Sequence, residues 1–201
     1  MKEDKIAIIK EEGGPVSVML KSEILYDTTA LIGKATRQFF SELSLEAHRQ
    51  IQFLPYVEIR NGMTVRSKLI DTDYIIIAKY PEVLENQVAA TVTRAIVCNN
   101  KMTVSSLQET ADRFGNVSRS LVNKLEDVSV YVESLGSESQ QKSHGLFHDF
   151  QYRISSPYFK LDTQDTITLN VGGVGREFKV LGYDVVSFDG LIIIDVSTET
   201  R

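Results

Sequence analysis

The sequence predicts a mainly β chain: two small β-barrel or sandwich modules, with helix confined to short pieces. Three observations carry this. Short runs of alternating apolar and polar residues recur along the chain, punctuated by Gly, Pro, Asn and Asp. Two stretches repeat one another's pattern at a constant offset. Between them, residues 136–145 form a ten-residue stretch without one aliphatic side chain, too polar to contribute to a core. A chain of 201 residues accommodates one large domain or two small ones. The expected division is a first β-module over 1–105, a connecting segment with a polar loop over 106–145, and a second β-module over 146–201.

In chain order, residues 5–10 alternate and predict a short strand, which Gly13-Gly14-Pro15 turns into a second strand over 16–25. Residues 26–29 read as the next turn. Helix formers over 41–52, with Ser41 as a cap, predict a short helix. Val57-Glu-Ile-Arg60 alternates into Asn61-Gly62, a strong hairpin dipeptide. Asp71-Thr-Asp73 is turn chemistry, and residues 74–78 make a buried strand that Tyr80-Pro81 stops. Residues 88–97 are β-rich, and 101–115 fit a strand followed by a turn. Apolar residues at 117, 121, 122 and 125 have helical period, whereas 128–132 alternate as a strand. Strands are expected again over 147–154, 158–161, 165–171, 176–183 and 190–196.

The repeat pairs residues 57–65 with residues 159–167. Apolar meets apolar at the first, third and ninth positions, and Thr64 meets Thr166. Each stretch is followed by a turn and an aromatic-led strand, Tyr74-Ile-Ile-Ile77 in one and Phe178-Lys-Val-Leu181 in the other. Each then closes on a β-rich strand, over 91–97 and 191–196. A barrel closes its own edges, which suits a chain of many short strands.

Chemistry-bearing motifs are scarce. Charge is 22 Lys and Arg against 27 Asp and Glu, net −5, a poor balance for gripping phosphate backbones. The single cysteine, Cys98, excludes an internal disulfide and a CxxC zinc site, and fits a reducing compartment as a buried, inert thiol. Gly33-Lys34 lacks the upstream glycine of a phosphate-binding loop, and Gly172-Gly-Val-Gly175 lies between strands, as a hairpin would. Asp71 and Asp73 belong to a turn rather than a metal site. His48, His144 and His148 read as surface residues. No triad, nucleotide loop or paired carboxylate stands out, so the expectation is a chain without catalysis, cofactor or metal. The N-terminus predicts no signal peptide, and no apolar run predicts a membrane span. The alternative is an OB-like barrel binding single-stranded nucleic acid through Phe147, Phe150, Tyr152, Arg153, Tyr158, Phe159 and Lys160.

The strand pair near 57–65, the Tyr-Ile-Ile-Ile strand and the strand ending Ile96-Val-Cys-Asn99, followed by Met102-Thr-Val104, resemble the neck proteins of tailed bacteriophages. The nearest likeness is to the head-closure proteins, also called head-completion proteins or stoppers. Ile167-Thr-Leu169, Phe178-Lys-Val180 and residues 189–196 resemble the same β-module, so the likeness covers roughly 55–105 and 145–197. Many closure proteins are a single small barrel; the doubled module and polar linker depart from that pattern. Related modules occur in tail-terminator and tail-tube proteins. The resemblance implies a structural virion protein of the head–tail junction, made in the host bacterial cytoplasm. It implies a six- or twelve-fold homo-oligomeric ring, with a portal adaptor above and a tail terminator or tail tube below. DNA passes through such a ring without specific binding, and no membrane is involved. Loops at 82–87, 136–145 and 170–176 are the candidate contacts, with Glu82, Glu85, Asn86, Ser137, Gln140, His144, Gly172, Gly173 and Gly175 as their residues.

Overall fold

The computed structural model describes residues 2–34, 47–111, 113–114, 117–134 and 152–198. The chain divides into two compact units, Met1–Cys98 with Val185–Leu191 and Asn99–Asp184 with Ile192–Arg201. The first unit opens with helix α1 (Lys2–Glu12) and contains strands β1 (Gly14–Leu20), β2 (Glu23–Lys34), β3 (His48–Phe53), β4 (Thr64–Ser67), β5 (Thr72–Leu84) and β6 (Gln87–Val97). These close into an antiparallel barrel in the order β1-β2-β3-β6-β5-β4. The second unit contains β7 (Asn100–Ala111), β8 (Val117–Ser134), β9 (Tyr152–Pro157), β10 (Thr166–Val171), β11 (Val174–Asp184) and β12 (Leu191–Ser197). Its barrel closes as β7-β8-β9-β12-β11-β10, the same topology built a second time.

The repeat extends to residue level. Val65 pairs with Tyr74 and Ile167 pairs with Phe178, so the two aromatic-led strands are in the same register. The ladder slips between Val18 and Met19 in β1, and at the matching step between Val104 and Ser105 in β7. It slips again between Ile76 and Ala78 in β5, and between Val180 and Gly182 in β11. Bulges increase local twist and bend the strand, which small barrels need in order to close. Each barrel fills with its inward-facing residues. Val18, Ile51, Phe53, Val65 and Ile76 pack in the first, and Val104, Val130, Ile154, Ile167 and Phe178 in the second.

Several sequence expectations are corrected. Residues 5–10 belong to α1, not to a strand, because Ile6 and Ile9, one helical turn apart, pack with Leu54 and Ala90. Residues 26–29 continue β2 rather than turning. Of the expected 41–52 helix, residues 48–52 lie in β3, where pairing with β2 and β6 overrides helix propensity; residues 41–46 lie outside the described ones. Residues 117–126 belong to β8, and their helical spacing marks no buried face, since Val117 and Leu121 are exposed. Pro81 does not stop β5, which runs on to Leu84; on the side away from β6, only Thr72–Ile75 of β5 pair with β4, so among the described residues no strand beside the proline needs its donor. The unit boundary falls at Cys98/Asn99, not at 105, and residues 106–111 and 117–134 belong to strands of the second barrel rather than to a connector.

Candidate interaction surfaces

Two of the three expected contact loops are tight hairpin tips. Glu85 and Asn86 join β5 to β6 with φ of 52° and 60°, and Gly172 and Gly173 join β10 to β11 with φ of 65° and 84°. Positive φ at both central residues matches the right-handed twist of the flanking strands, which is why Asn and Gly occupy such turns. All four are exposed, as is Gly175 on β11. Glu82 is half-buried on β5, and the Lys5 ammonium of α1 lies 3.2 Å from its Oε2, close enough for an ion pair without hydrogen-bond geometry. Ser137, Gln140 and His144 lie outside the described residues.

The aromatic cluster is divided between core and surface. Phe159 is buried in the second barrel, and Tyr152 meets Phe178 edge-on, with ring centroids 5.4 Å apart. Arg153 donates from Nε to Asp195 Oδ1 at 2.8 Å across β9 and β12, and this hydrogen bond holds the guanidinium above its ordinary pKa. Tyr158 and Lys160 are exposed; Phe147 and Phe150 lie outside the described residues. A stacking platform needs several exposed rings along one groove. Here two of the three described rings are turned into the barrel instead.

Several charged groups are tied to one another within a barrel. Arg66 grips Asp73 through two bonds of 2.7 and 2.9 Å across the β4–β5 hairpin, and the hydrogen bond to Asp73 raises the guanidinium pKa. Asp71 is exposed with φ of 46°, so the Asp-x-Asp pair serves a turn and an ion pair. Asp27 accepts from Lys68 Nζ at 2.6 Å and Ser17 Oγ at 2.7 Å, which pulls its carboxyl below the usual range. His48 is buried in β3 rather than on the surface, because it sits at the start of a central strand paired with Ile96. Cys98 is half-buried, and its N–H donates to Asp73 O at 2.8 Å. A depression of about 500 Å³ in the second unit is lined by Asp165, Thr166, Arg176, Glu177 and Lys179 among others. The Asp165 carboxylate is already engaged by Lys124. Among the described residues no group of three His, Cys, Asp or Glu side chains is placed to hold a metal, and no helix is long and apolar enough to cross a membrane.

One exposed apolar feature among the described residues was not legible as such. The β7–β8 hairpin carries Leu107, Phe114, Val117 and Leu121 in the open. The local signal was weak: Ser106-Leu107-Gln108-Glu109 holds a single apolar residue, and residues 117, 121 and 125 opposite have helical spacing.

No protein-family model and no curated protein matches the chain. Among solved structures it is similar to the solution structure of protein SF1141 from Shigella flexneri 2a, at 17% identity and a TM-score of 0.44, over 52% of this chain and 95% of that one.

Proposed function

We propose that this chain is a structural protein of the tailed-phage neck, of the head-closure kind. It assembles as a six- or twelve-fold ring that closes the head after packaging and joins it to the tail. The portal adaptor sits above it and the tail terminator or tail tube below. The observation that carries the reading is the closed six-stranded barrel built twice with the same strand order and with two ladder slips at matching steps, on a sequence whose repeat resembles that family's module. Closed barrels are stiff blocks with few open edges, a suitable wall for a channel that holds pressurised DNA. A net charge of −5 per subunit gives a ring that repels phosphate, so DNA slides without binding and retention is steric.

Deleting the gene from a phage that carries it tests the reading. The expected result is DNA-filled heads that lose their genome, alongside free, complete tails. Heads that still join tails would refute it. Heads joined to tails of aberrant length would instead favour the tail-terminator place.

A further inference from the structure

The β7–β8 hairpin outgrows its barrel. β10 pairs with β7 only over Met102–Ser105, and β9 pairs with β8 only over Tyr131–Ser134. From Ser106 to Ala111 and from Val117 to Asn123, the two strands pair with each other and, among the described residues, with no further strand. The matching hairpin of the first barrel has no such extension, since β1 ends at Leu20 and β2 begins at Glu23.

This ribbon has two unlike faces. Leu107 opposite Leu121 and Glu109 opposite Arg119 share one face, while Ser106 opposite Val122 and Gln108 opposite Ser120 share the other. Leu107 is 51% exposed and Leu121 55%. Arg119 Nε donates to Glu109 Oε1 at 2.7 Å. A two-stranded ribbon alone is marginal in water, and its open edges are templates for further pairing.

We propose that this arm joins copies of the chain, the β7 edge of one arm pairing with the β8 edge of the next. Charge selects the occupant and the polarity. The β7 edge carries Glu109 and the β8 edge Arg119. Like edges would set Glu109 beside Glu109, or Arg119 beside Arg119. Unlike edges place every Arg119 between two Glu109 carboxylates and run Leu107 and Leu121 into one continuous apolar row. A contact between unlike edges is heterologous, and heterologous contacts that close give rings. Closure rests on the ring reading above; the edge contact itself does not depend on a place in the virion.

The test uses the purified full chain, sized by analytical ultracentrifugation from low micromolar to the highest attainable concentration. The wild type is expected to form closed oligomers larger than dimers. Glu109→Arg alone, or Arg119→Glu alone, is expected to raise the concentration for half-assembly about tenfold or more, like charges now being adjacent. The double exchange restores assembly. It also refuses to mix with the wild type, because a mixed junction sets acid against acid and base against base. Unchanged melting of every variant separates an assembly defect from a folding one. Single reversals that assemble like the wild type overturn the proposal, as does a wild type that stops at discrete two-fold dimers or stays monomeric throughout. A chain that assembles through the arm yet is absent from virions would refute the neck reading alone.

Discussion

Lys124 Nζ holds both carboxylate oxygens of Asp165, at 2.6 and 2.8 Å. Lys124 is the extra residue at the β8 side of the ladder slip opposite Val104 and Ser105. Asp165 closes the turn before β10: its N–H donates to Asp162 O, and its Oδ2 accepts from the Asp162 N–H at 2.9 Å. The first barrel has the same turn, where the Met63 N–H donates to Arg60 O and the Met63 sulfur accepts from the Arg60 N–H. The extra residue there is Leu25, between Ile24 and Tyr26. One repeat thus carries an ion pair where the other carries two apolar side chains.

That relationship predicts an asymmetric mutational response. Asp165 is 2% exposed, so Lys124→Met leaves a buried carboxylate without its cation and is expected to cost about 2–4 kcal/mol. The double change Lys124→Leu with Asp165→Met copies the first barrel and is expected to recover most of that loss. Urea unfolding followed by circular dichroism checks it. A single variant as stable as the wild type, or a double variant worse than the single, contradicts the argument.

Gly13 predicts a local backbone effect. A Cβ there would stand 2.3 Å from Ile9 O and 2.7 Å from Thr29 Cγ2. Gly13→Ala therefore pushes α1 away from the barrel and is expected to cost about 1–3 kcal/mol, as overpacking does. Hydrogen exchange should show Lys2–Glu12 losing protection before the barrel strands do. Unchanged protection of the helix would count against this packing.

Asp27 predicts the sign of a pH effect. Its hydrogen bonds to Lys68 and then Ser17 lower its pKa. Its stabilising contribution is therefore present above the ordinary aspartate value and lost as pH falls through the lowered one. The group is exposed, so the effect on stability is small. Carboxyl NMR titration should place its midpoint below that of an unpaired aspartate, and Lys68→Met should move it upward. A midpoint that ignores Lys68 would contradict the assignment.

Nucleic-acid binding is predicted to be weak. A gel-shift titration with single-stranded DNA should show no submicromolar binding at low salt. Submicromolar binding that weakens with salt and is lost on Tyr158→Ala would favour the binding module.

The repeat was legible because its apolar residues alternate at a constant offset, although residues 57–63 and 158–165 lie outside the strands, so the strands expected at 57–60 and 158–161 are not formed. Val57, Ile59 and Val65 and their counterparts Phe159, Leu161 and Ile167 all pack against barrel cores. Asn61-Gly62 was also legible as a turn, with Gly62 at φ of 79°, although it precedes β4 rather than joining two paired strands. Long-range pairing was not legible. His48 pairs with Ile96 of β6, and Ile51 lies between Ile32 of β2 and Thr93 of β6; the alternation of Ile51, Gln52 and Phe53 is the only local trace of this strand in the sequence, and the helix formers before it hide it. α1 was missed because Ile6 and Ile8 alternate by accident; Ile9, one turn from Ile6, is the buried residue. The arm was missed because exposed apolar side chains on a free ribbon mimic the spacing of a helix that buries them.

Electron cryo-microscopy of the virion neck tests the central claim most directly. The account predicts a six- or twelve-fold ring between the portal adaptor and the tail whose density fits two six-stranded barrels per subunit. Absence of this chain from the head–tail junction would contradict it.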